Sequence, residues 1–122
     1  QAFCPQLDAL IAGSKTIALP QPFKTQTDCT TALGLSGASS THCAWAFDYR
    51  AEAAGEVFEA LVQQVPACFS AAETARKDQD VNHPDFYDLR IFDTPLSEIG
   101  VSLKDKASLQ KTYVFLSVTA RS

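Results

Sequence analysis

The chain has 122 residues, of which 46% are apolar and 20% charged, with a formal net charge of −4 at pH 7. That length suits a single domain, residues 1–122, with enough apolar content for a core, so a disordered tail and a minimal disulfide knot are both excluded. The acidic balance, with ten Lys and Arg spread thinly, excludes a phosphate-binding face for nucleic acid, and no apolar run nears the roughly 20 residues of a membrane-spanning helix.

The chain opens on Cys4, followed by Pro5 in a position that suits the first turn of a helix. Leu7, Leu10 and Ile11 share one face of that helix, and Gly13 offers a left-handed stop. Residues 14 to 27, with Pro20 and Pro22, read as an extended connection in which Ile17 and Leu19 reach the core. A hairpin follows. Cys29, Thr31, Leu33 and Leu35 alternate on one arm, Cys43, Trp45, Phe47 and Tyr49 on the other, with Ser36-Gly37-Ala38-Ser39-Ser40 as turn material. Centred near Ser36, this hairpin sets Cys29 opposite Cys43.

Asp48 is the expected cap of a longer helix over about residues 50 to 65. Ala54, Val57, Phe58, Leu61, Val62 and Val65 form its apolar stripe, and Pro66 is expected to end it. Residues 70 to 85 contain almost no large apolar side chain and read as a long surface loop. Three strands close the chain: around Tyr87-Leu89-Ile91, around Val101-Leu103, and from Thr112 to Ala120. The last has apolar residues on both faces, Tyr113 and Phe115 on one and Val114, Leu116 and Val118 on the other, which places it centrally. The expected fold is α+β in the order α-β-β-α-β-β-β: a single antiparallel sheet of about five strands, with two helices packed on one face and two disulfides.

The four cysteines, Cys4, Cys29, Cys43 and Cys68, form an even set without a C-x-x-C spacing, and only two histidines accompany them. Metal, haem and thioredoxin-type chemistry fit this poorly; two structural disulfides made in an oxidising compartment fit it well. Of three possible pairings, Cys29–Cys43 with Cys4–Cys68 is favoured by the hairpin and by antiparallel helices; Cys4–Cys29 with Cys43–Cys68 is the runner-up. A chain that begins at Gln1 and contains no methionine is expected to be the mature form of a periplasmic or secreted protein whose signal peptide has been cleaved.

Candidates for chemistry are few. His42 adjoins Cys43 and lies near Ser36, Ser39 and Ser40, but a thiol held in a disulfide is no nucleophile, and serines are what a hairpin tip needs anyway. Asp78-x-Asp80-x-Asn82 alternates oxygen ligands as a calcium loop does, yet His83 and Leu89 stand where that loop requires Gly and Glu. Glu52, Glu56 and Glu59 mark the wet side of a helix, and Asp88 with Arg90 reads as an ion pair. Most of the aromatics, Tyr113 and Phe115 among them, read as core. Phosphate-binding and hydrolase motifs are absent.

These observations lead to the expectation of a non-catalytic, cofactor-free and metal-free interaction module of the periplasm or extracellular space, such as an inhibitor, assembly factor or accessory subunit. Its partner is another protein of that compartment, contacted through Asp78, Asp80, His83, Phe86 and Tyr87 and, at the hairpin, His42. The alternative is a carrier of a small ligand or cation in the space between sheet and helices. A small hydrolase ranks third.

Overall fold

The computed structural model describes residues 3–20, 23, 25–33, 39–69, 73–82, 85–94 and 97–120, and of these 33, 69, 73–82, 85–87 and 120 as backbone only. Helix α1 spans Phe3–Ile11 and α2 Glu52–Phe69. The strands are β1 (Thr16–Ala18), β2 (Gln26–Asp28), β3 (Thr30–Leu33), β4 (Ser39–Asp48), β5 (Glu73–Asn82), β6 (Asp85–Asp93), β7 (Ser97–Lys106) and β8 (Lys111–Ala120). All pairings are antiparallel, and the class is α+β.

The expectation of one sheet is corrected. Strands β1 and β2 form a small sheet of their own, and six strands form the main sheet in the order β3-β4-β8-β7-β6-β5. The three-residue strands β1 and β2 are too short to leave a periodic trace in the sequence. The chain passes between the sheets at Cys29. Its N–H donates to the Lys15 carbonyl at 2.7 Å, while its sulfur bonds Cys43. The β3–β4 register, Thr30 opposite His42, extrapolates to Cys29 opposite Cys43, whose Cα atoms are 4.4 Å apart, the spacing of a non-hydrogen-bonded antiparallel pair.

The second correction concerns residues 70 to 85: a strand, β5, runs from Glu73 to Asn82 and pairs with β6, Asp78 opposite Asp88. As an edge strand it needs no apolar face, and a run of charged residues guards it against stray pairing. At the other edge, β3 is only four residues long. The tip proposed at Ser36-Gly37-Ala38 lies outside the described residues, and Ser39 and Ser40 belong to β4.

Asp48 does not cap α2. It ends β4 with its side chain 95% exposed, 3.9 Å from the Lys111 ammonium. Nor does Pro66 end the helix, which continues one turn to Phe69. Cys68 in that turn is tied to Cys4 at the start of α1, so the last turn is anchored although Pro66 contributes no N–H to it.

One core joins the layers. Leu7 and Leu10 of α1, Val57, Phe58, Leu61 and Val65 of α2, and Ile17 of β1 meet Trp45, Ile99, Val101, Val114 and Leu116 of the main sheet. Those sheet residues share one face, so both helices lie on that side. Among the described residues no helix is long and apolar enough to cross a membrane.

Candidate functional site

Side chains in a strand alternate between faces, so the register assigns the residues of the second, helix-free face. They are Ser40, His42, Ala44, Ala46 and Asp48 on β4, with Lys111, Tyr113, Phe115, Ser117 and Thr119 beside them on β8. Then come Glu98, Gly100, Ser102, Lys104 and Lys106 on β7, and Leu89, Ile91 and Asp93 on β6. Among the described residues no element lies over this face. Tyr113 and Phe115 are half-buried and stack on each other with ring centroids 5.8 Å apart. Leu89 and Ile91 are half-buried too, and Ala44 and Ala46 are exposed, so an apolar strip crosses the middle of an otherwise wet surface.

The relief of this strip has a local cause. Gly100 stands opposite Ser117, and a Cβ built on Gly100 would lie 2.8 Å from the Ser117 hydroxyl. Only glycine fits there without movement, because the Ser117 hydroxyl takes the space of its Cβ, and two small residues therefore stand side by side next to the two rings. The two ends of the face differ in charge, although Asp48 stands beside Lys111. Asp93 stands opposite Glu98 at one end, and Lys106 opposite Lys111 at the other.

Of the residues expected to contact a partner, His42 lies on this open face, exposed, its Nε2 3.0 Å from the Ser40 hydroxyl. Among the described residues no carboxylate hydrogen-bonds to it. Asp78 and Asp80 fall in β5 and Phe86 and Tyr87 in β6, with side chains outside the description; His83 lies outside the described residues altogether. The backbone of Tyr87 pairs with that of Lys104. The sequence reading placed Tyr113 and Phe115 in the core and missed this surface. The available signal was on the neighbouring strands, where the residues facing the two rings are Ala44, Ala46, Ser102 and Lys104.

On the helix side, a solvent-open cleft of about 710 Å³ separates α2 from β6 and β7, lined by Glu52, Glu56, Glu59, Phe58, Asp88 and Leu103 among others. The Asp88 carboxylate accepts two hydrogen bonds from Arg90, at 3.1 and 3.2 Å, and the guanidinium lies 5.5 Å from the Phe58 ring centroid. Asp88 is therefore committed to an ion pair, and among the described residues no group of three His, Cys, Asp or Glu side chains is arranged to hold a metal.

The four cysteines are all consumed, Cys4 with Cys68 and Cys29 with Cys43, leaving no free thiol. Two more polar clusters are structural. Thr94 and Ser97 exchange hydrogen bonds across the β6–β7 turn, and Asp105 joins Thr112 to Arg50. Comparison of the chain with family models, curated proteins and solved structures finds no match.

Proposed function

We propose that this protein is a non-catalytic protein-interaction module, exported to the periplasm or extracellular space, that seats a partner on the helix-free face of its main sheet. An inhibitor, an assembly factor and an accessory subunit are the roles that match. One observation carries the reading: the strip of Tyr113, Phe115, Leu89, Ile91, Ala44 and Ala46, uncovered among the described residues. Aromatic rings at the centre of a contact, with charges at its rim, are the composition that protein interfaces favour. The two disulfides brace the opposite side, so the face is presented by a rigid frame, and disulfides persist in oxidising compartments.

Site-specific photocrosslinking in the producing cell tests this. A photoreactive residue at Ala44 or Ser117 is expected to give a protein adduct, and the same group at the exposed Gln64 of α2 is expected to give none. Absence of any adduct from both face positions would remove the reading.

A further inference from the structure

We infer that the partner on the open face is a second copy of this chain, the two sheets packed face to face about a two-fold axis. This rests on the interaction-module reading and names the occupant of that surface.

The first argument is charge. Asp93–Glu98 and Lys106–Lys111 are cross-strand neighbours of like sign, acidic at one end of the face and basic at the other. At the basic end Lys104 shares the face, and Asp48 is 3.9 Å from Lys111. Ser102 lies midway along β7, four residues from Glu98 and four from Lys106, or about 14 Å either way. A two-fold axis running across the strands along the row Ala44–Phe115–Ser102–Leu89 reverses strand direction. It carries the acidic end of one copy onto the basic end of the other, and does so twice. The acidic end of each copy is thereby complementary to the basic end of the other. A contact of this kind is isologous and closes on itself.

The second argument is shape. The same rotation sets Phe115 against its own counterpart near the axis. It brings Tyr113 over the small residues Gly100 and Ser117 of the other copy. Large ring and small pair lie on opposite sides of the axis row, as self-complementarity requires. Packed sheets cross at roughly 30°, a rotation that moves the ends of the face sideways by about one strand. That is the offset between the β6–β7 acidic pair and the β7–β8 basic pair.

The third argument is size. Strands β4, β8, β7 and β6, at about 4.8 Å spacing and ten residues long at most, offer on the order of 650 Å² before side-chain relief is added. Standard interfaces use about 800 Å² per partner, with a spread of about 200 Å². The face is therefore large enough for a specific, reversible dimer.

Sedimentation equilibrium on the disulfide-intact chain tests this. The wild type is expected to double in mass as concentration rises through the micromolar range, and Phe115→Glu to stay monomeric with an unchanged circular dichroism spectrum. Glu98→Lys should weaken dimerisation by about tenfold, as loss of complementary charge does. Adding Lys111→Glu to Glu98→Lys should recover most of that loss, because the one-strand offset sets Glu98 against Lys111 of the other copy and the swap restores that pairing with its sign reversed. A wild type that stays monomeric throughout overturns the inference. So does a double variant no tighter than Glu98→Lys alone. Photoadducts from Ala44 or Ser117 to a different protein, with the chain itself monomeric, would retain the interaction-module reading and reject the second copy; no adducts and no dimer would reject both.

Discussion

Asp105 shows how single polar groups hold this chain in register. It is buried on β7, accepts a 2.8 Å hydrogen bond from the Thr112 hydroxyl, and meets the Arg50 guanidinium at 3.2 Å. Thr112 in turn accepts the Arg50 backbone N–H at 2.7 Å. Arg50 has a left-handed backbone, φ 56°, because the chain must turn sharply from β4 into α2. Thr112→Val keeps the shape but removes both the donor to Asp105 and the acceptor for Arg50. It is expected to lower stability by about 2 kcal/mol, read as a lower urea midpoint at unchanged slope. On the neighbouring strand β6, Asp88 and Arg90 are 10% and 12% exposed at their side chains. Arg90→Met alone leaves a nearly buried carboxylate without its guanidinium and is expected to cost about 3 kcal/mol. Combining it with Asp88→Leu should recover most of that, since an apolar pair of similar volume replaces the ions. A single variant as stable as wild type would mean that water reaches the carboxylate.

At the scale of elements, the two bridges do different work. Cys4–Cys68 spans 64 residues and Cys29–Cys43 spans 14, so in the chain-entropy account the first stabilises by about 4 kcal/mol and the second by about 3. The long bridge has a local effect as well. Without Cys68 held to Cys4, the turn of α2 beyond Pro66 has no anchor. Cys4→Ser with Cys68→Ser should therefore lose amide protection selectively over residues 67–69, which hydrogen exchange would resolve, whereas Cys29→Ser with Cys43→Ser should not. Legibility at this scale followed the physics of burial. The apolar stripe of α2, the hairpin cysteines and the strong signal of β8 could be read because each faces the core. Strand β5 could not: its charged run Arg76-Lys77-Asp78 has no apolar period, and its pairing is dictated by β6. The one-turn extension of α2 was equally hidden, because proline normally marks a stop and the tie to Cys4 is a long-range fact.

For the molecule as a whole, the α+β class and the two-bridge frame were written into composition and cysteine spacing, but the open face was not. Hydrophobic alternation shows that Tyr113 and Phe115 oppose Val114 and Leu116; it does not show which side the helices cover. That depends on where α1 and α2 land, and both land on the side of Val114. The exposed face then has a thermodynamic consequence. If two copies share it, unfolding must separate them, so stability depends on protein concentration by mass action. Once dimer predominates, each tenfold rise in concentration adds about 1.4 kcal/mol to the unfolding free energy of the assembly. For a dimer of this size that raises the thermal midpoint by about 3–5 °C. Scanning calorimetry across two decades of concentration should show this rise for the wild type. The midpoint of Phe115→Glu should stay flat, since its charge cannot be buried against a second copy of itself. A wild-type midpoint as flat as the variant's would mean that the face meets only water in the isolated protein.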